Sequence, residues 1–246
     1  MAKQSGLGMR LWVGGFNLSG DINSINRIAG GPAALDLTDI TESAYERQGG
    51  QRDGGIDFTS YFNPSSSRAH PVLGALPRID TLVSTATGTL VGSPMASCQA
   101  IQIGYDPQRG QDGSLTFGVT TNSDQYGLEW GESLTAGERT DSTATASGTG
   151  LDGGAASTFG AQFYLHLTAF TGTSVVVKVQ DSADNATFAD LAGAAFTSAT
   201  AVGWQRIAIS NAATVRRYVR VATTGTFTVA TFAVNMVRNS IAGQVF

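Results

Sequence analysis

Charge is scarce in this chain. Of its 246 residues only 14% are Asp, Glu, Lys or Arg, against about 25% in an ordinary soluble domain. Mixed charge is what keeps most soluble proteins apart. A surface this quiet suits contact with further copies of the chain, because the centres of interfaces are poor in charge. Cysteine occurs once, at Cys98. A single thiol excludes an intramolecular disulfide and a Cys-rich zinc site, and with no histidine nearby Cys98 reads as a small buried strand residue. Histidine occurs twice, at His70 and His166, so no His pair stands at metal-binding spacing. His166 is expected on a solvent or interface face of its strand. Proline is limited to 6 residues. The start, Met1 to Gly6, lacks the apolar stretch of a signal peptide, and no run approaches the roughly 18 apolar residues of a membrane span. The expectation is a protein made in the cytoplasm, with no membrane anchor.

Recognisable chemistry is missing as well. No G-x-S-x-G, phosphate-binding loop or dinucleotide fingerprint is present. Carboxylate pairs such as Asp36/Asp39 and Glu129/Glu132 occur, and a two-carboxylate hydrolase would need such a pair, but nothing else marks a substrate cleft. Asp181, Asp184 and Asn185 form an oxygen-rich turn that a calcium ion would accept and that an Asx turn explains equally. The chain is therefore read as no enzyme, with no cofactor and no metal.

What is present is glycine, at 31 residues, in a chain of net charge −4. Residues 1–137 hold eight Lys/Arg against thirteen Asp/Glu, a balance of −5, and residues 138–246 hold seven against six, a balance of +1. Between them, Ser133 to Thr158 is built almost wholly of small residues. Such a stretch buries too little to offset its ordering entropy, so residues 136–157 are expected to form a flexible linker. It divides an assembly domain, 1–135, from a second domain, 158–246.

The second domain is patterned for strands. Phe163, Leu165 and Leu167 alternate with Tyr164, His166 and Thr168, and Val175, Val177 and Val179 alternate with Lys178 and Gln180. A period of two marks a half-buried strand. Thr171-Gly172-Thr173 and Thr224-Gly225 read as tight turns, with further strands at Gln205–Ser210, Val215–Thr223 and Thr226–Arg238. The whole reads as a β-sandwich. Arg216 and Arg220 flank Tyr218 on one face, an arrangement suited to stacking a glycan or a nucleic acid and equally to a solvated sheet.

The first domain is less regular. Strands are expected at Met9–Val13, Ala33–Thr41, Ile56–Phe62, Ile79–Ala86, Met95–Tyr105 and Ser114–Thr121, with a polar loop over Glu42–Gly55. The single helix lies within Pro64–Leu76, capped by Ser65 or Ser66 and ended by Pro77. The fold class is all-β with one short helix.

The stretch from Tyr45 to Trp130 resembles the major tail proteins of long-tailed bacteriophages. The likeness lies in the loop and returning strand Glu46-Arg47-Gln48-Gly49-Gly50-Gln51-Arg52-Asp53-Gly54-Gly55-Ile56-Asp57-Phe58-Thr59. It continues through Tyr61-Phe62, the helix around Ala69–Leu73, the turn at Gly92–Met95, the strand at Cys98–Tyr105 and Asp112–Val119. Ser157–Arg238 is similar to small β-sandwich modules of phage tail and fibre proteins. The resemblance implies a tail-tube-like β-barrel or sandwich that pairs strands around a ring, usually hexameric. Such rings stack into a tube that passes DNA without binding it specifically, and the second sandwich faces outward. Glu46, Arg47, Arg52 and Asp53 become candidate ring-stacking residues, and the partners are other copies and other tail proteins. An alternative is a virion decoration or glycan-binding tail protein using Arg216, Tyr218 and Arg220.

Overall fold

Two strands of more than twenty residues form the spine of the second half. The structure, a computed structural model, describes residues 5–75 and 80–241. In chain order the first half contains β1 (Arg10–Val13), β2 (Phe16–Asn17), β3 (Ile22–Asp36), β4 (Arg47–Tyr61), α1 (Ala69–Leu73), β5 (Thr81–Ala86), β6 (Pro94–Arg109), β7 (Leu115–Ser123) and β8 (Glu129–Ser133). Then follow β9 (Arg139–Asp141), β10 (Leu151–Asp152), β11 (Ala161–Ser182), β12 (Ala189–Ala195), β13 (Gly203–Ala208) and β14 (Tyr218–Arg238). The fold is all-β, its pairings antiparallel.

β11 and β14 pair along their whole length, from Ala161 opposite Arg238 to Ser182 opposite Tyr218. The expected turns at Gly172 and Gly225 lie inside these strands, Gly172 at a shift of register and Gly225 in unbroken pairing with Val175. Gly172 (φ 155°) lies opposite Phe227, whose Cα a side chain there would strike, and Gly225 (φ 122°) lies against the Ser174 carbonyl. A glycine in such a conformation bends and twists a strand without ending it. The apolar alternation was real, but it belonged to two long strands.

The expected linker is also ordered. Residues 136–157 run back along β14: β9 pairs Arg139 with Phe232, Ala146 bridges Ala222, and β10 pairs Leu151 with Val219. Polar bonds hold the segment down. The Arg139 guanidinium donates to both Asp141 carboxylate oxygens at 2.7 and 2.8 Å and to the Val221 carbonyl at 2.9 Å. The Thr223 hydroxyl donates to Asp141 at 2.7 Å. Composition judged the segment by its lack of apolar mass and could not see a backbone ladder waiting on β14.

Each half keeps its own core. One packs Leu11, Leu18, Ile56, Phe58, Leu73, Val83 and Cys98; the other packs Phe163, Leu165, Val177, Val219, Val221, Phe232 and Val234. The halves are termed the first and second lobes. In the first lobe the strand order runs β3-β4-β7-β6-β5-β1-β2. β8 joins the lobes, pairing with β6 on one side and with Asn235 and Met236 of β14 on the other. Gly131 sits at this junction because a Cβ there would collide with the Met236 carbonyl. Gly131→Ala is expected to cost about 1–3 kcal/mol, read as a lowered urea midpoint.

The helix spans only five residues. Its N-terminus is served by a distant side chain rather than by Ser65 or Ser66: the Asp21 carboxylate accepts the Ala69 N–H at 3.1 Å and the Asn63 amide at 2.8 Å. The expected stop at Pro77, the first residue of the expected Ile79 strand and Leu76 lie outside the described residues.

Candidate functional site

A hairpin arm and a buried seam between the lobes carry the features that composition alone did not place. The arm is β3 against β4, with the turn at residues 37–46. The polar loop expected over Glu42–Gly55 is therefore mostly strand. Its glycines are there for close approach: a Cβ at Gly30 or Gly54 would stand 2.7 or 2.6 Å from Leu128 Cβ. Leu128 crosses the root of the arm and admits nothing larger.

The four candidate stacking residues do not gather in one place. Glu46 and Arg47 are at the tip, where the Arg47 guanidinium lies 4.7 Å over the Tyr45 ring. Arg52 and Asp53 are at the root, roughly 17 Å away at the rise of an extended strand. Arg52 turns inward to donate to Glu129 at 2.9 Å. Asp53 accepts from the Ser123 hydroxyl at 3.0 Å, tying β4 to β7. The tip is apolar as well as acidic: Leu35, Leu37 and Tyr45 are exposed, and Ile40 is wholly so. Among the described residues β3 pairs with β4 alone, leaving its outer edge unbonded.

The Arg216–Tyr218–Arg220 face is committed within the chain. Arg216 donates twice to the buried Asp181 carboxylate, at 2.9 and 2.6 Å, and once to its carbonyl at 2.8 Å. Arg220 donates to Gln180 at 2.9 Å and to the Ser147 carbonyl at 3.0 Å, and lies 3.9 Å over the Phe188 ring. Tyr218 is covered by Arg217, 5.0 Å from its ring centre. The oxygen-rich turn beside it is an Asx turn. Asp184 accepts the N–H groups of Ala186 and Thr187 at 2.9 and 2.8 Å, bonds that hold its carboxyl below the usual range. Cys98 is fully buried, and burial pushes its thiol up to about 12.

The seam is what the sequence reading missed. On β11, Gln162, Tyr164 and His166 point away from the second core, yet all three are buried, Tyr164 and His166 against the first lobe. The Tyr164 hydroxyl donates to Glu129, which also takes Arg52, and Arg206 lies 3.8 Å from the same carboxylate. Arg206 stacks 3.5 Å over the Tyr126 ring and donates to the Tyr164 oxygen at 3.2 Å. Burial and the Glu129 charge both raise the Tyr164 phenol. The Gly15 N–H donates to His166 Nδ1 at 3.3 Å, so Nε2 carries the proton and donates to Ser84 Oγ at 2.9 Å. Ser84 meets the Ser97 hydroxyl at 2.8 Å, and Asn235 donates to Ser97 at 2.8 Å and to the Met95 carbonyl at 3.1 Å. Trp12 stacks on His166, centroids 6.3 Å apart, and donates from its ring to Glu138 at 3.1 Å. A hint existed: three polar residues on the outer positions of an otherwise apolar strand, two of them ring-bearing, mark a face that is covered.

No family model matches the chain, and no curated protein does. Solved structures offer distant likenesses in shape. The tail of an empty gene transfer agent particle shares 12% identity at a TM-score of 0.39, over 53% of this chain and 98% of that one. The Dit protein of phage SPP1, described as part of a hub adsorption apparatus, shares 10% at 0.34, over 94% and 99%. The activated baseplate of phage p2 shares 9% at 0.32, over 94% and 98%.

Proposed function

We propose that the chain is a structural subunit of a phage tail that polymerises with copies of itself into rings, and through stacked rings into a tube for DNA. The observation that carries this reading is the unfinished sheet of the first lobe. Among the described residues, the fifteen of β3 run along an edge with a partner on one side only. A free edge of that length is a template for another strand, and a head-to-tail contact between identical chains closes a ring when its rotation allows. The exposed leucines and isoleucine at the arm tip supply apolar surface for a neighbour. The balance of −5 over residues 1–137 suits a lumen that repels phosphate, so that DNA slides without sticking.

Purified protein is expected to form rings or tubes in negative-stain images. Leu37→Asp with Ile40→Asp is expected to leave it monomeric with an unchanged circular dichroism spectrum. A wild-type chain that stays monomeric at high concentration overturns the proposal.

A further inference from the structure

We propose that the seam between the lobes is an acid-released latch, with His166 as its pin. Geometry carries the inference. The two cores are separate clusters, one in each lobe. Among the described residues two small apolar groups pack between them, Trp12-Ala86-Met95-Ala233 and Leu82-Tyr164-Val237 with Trp204. Beside them run the β8–β14 pairing, the cluster of Tyr164, Arg52 and Arg206 about Glu129, and the hydrogen-bonded chain from Gly15 through His166, Ser84 and Ser97 to Asn235. His166 is fully buried in the middle of it.

Both ring nitrogens are committed, and only the neutral ring fits. A second proton would go to Nδ1, which faces the Gly15 N–H. Two donors would then point at each other, the bond from the first lobe would be lost, and a charge would be left without water. Among the described residues no acidic group faces the ring. Across from it stand Gly15 and Trp12 of the β1–β2 region and Ser84 of β5; Trp204 of β13 and Ala233 of β14 flank it on paired strands. The nearest formal charges are reached through other side chains: Glu138 through the Trp12 ring nitrogen, Glu129 and Arg206 through Tyr164 two residues along the strand. Burial accordingly pushes the imidazole down to about 3. Opening the seam returns the ring to water, where it takes a proton below about 6.5.

Gly15 keeps the two lobes within reach. Its φ is 88°, and a Cβ there would lie 2.5 Å from the Gly203 carbonyl oxygen. The same face carries polar atoms with no hydrogen bond within the protein, namely Asn235 Oδ1 and both amide atoms of Gln162. Such groups gain partners when water reaches them, so opening relieves the seam while each core stays packed.

The test is hydrogen exchange of the full-length chain between pH 7.5 and 4.5, with rates normalised to intrinsic exchange. Protection of the β8 and Gly15 amides is expected to fall about tenfold per pH unit below 6.5, while the centres of β11 and β4 hold theirs. His166→Gln keeps a neutral amide in place and is expected to flatten that slope. If His166→Gln does not fold, Ser84→Ala retains the imidazole and is expected to keep the slope at lower overall protection. Seam protection that is flat in the wild type overturns the latch. So does a His166→Gln slope as steep as wild type.

Discussion

Glu129→Ala is expected to lower the stability of the chain by about 3–5 kcal/mol, the largest effect of any single change at the seam. The carboxylate is 4% exposed and serves three partners at once: the Tyr164 hydroxyl, the Arg52 guanidinium at 2.9 Å and Arg206 at 3.8 Å. Removing it strands the Arg206 side chain, itself only 7% exposed, as a buried cation without a counter-charge. Breaking one half of a buried pair costs far more than the pair contributes, because the survivor has no water to return to. Urea denaturation should show the loss as a lowered midpoint. The double variant Glu129→Ala with Arg206→Met should recover much of it, since the stranded charge is gone, and the cycle of single and double variants measures the coupling. Arg217→Ala makes the contrast. Its bond to Asp152 is as short, at 2.7 Å, but both groups are nearly half exposed, and solvent screens such pairs so that little is lost when one is removed. Equal losses for Glu129→Ala and Arg217→Ala would sink the account.

Acidification is expected to destabilise the fold through His166 by about 2 kcal/mol between pH 7 and pH 5. The sign follows from the direction of the shift. The folded protein holds the imidazole near 3, and the unfolded chain holds it near the ordinary value of about 6.5. Between those values the unfolded state binds a proton that the folded state refuses, so stability rises with pH across that interval. The contribution is fully present above about 6.5 and drains away as the pH falls toward 3. Thermal or urea unfolding of the wild type and of His166→Gln across this range should separate the histidine from the carboxylates. The variant is expected to lose less stability than the wild type from pH 7 to 5. Parallel curves for the two proteins would remove His166 from the explanation.

The two results bear on assembly in different ways. Open edges and an apolar arm tip are features of the first lobe, and their loss should leave the fold intact. The seam lies between the lobes, and its loss should change how the second lobe is carried without touching β3. Variants at Leu37 and Ile40 and variants at Glu129 and His166 therefore separate the surface proposed to meet neighbours from the latch proposed between the lobes.

Strand character was legible in the residues, because a period of two in Phe163, Leu165, Leu167 and in Val175, Val177, Val179 has few other meanings. The quiet, charge-poor surface and the acidity of the first half were equally plain, since both are sums over side chains. Where strands end was not legible. Gly172 and Gly225 read as turns, and Gly49, Gly50, Gly54 and Gly55 as a loop, because a glycine permits a turn, a bulge and a close approach alike. Only the presence of Phe227, Ser174 and Leu128 across from them decides which. The linker failed for a related reason. Low apolar content predicts disorder when a segment must fold alone, and this one had β14 beside it. The seam was hidden most completely. Tyr164, His166 and Glu129 are polar, and polarity by itself says solvent; their burial depends on the other lobe arriving from 35 to 151 residues away along the chain. Local pattern fixes which way side chains alternate. What covers each face is a fact of tertiary packing, and here it turned three ordinary polar residues into the joint between two lobes.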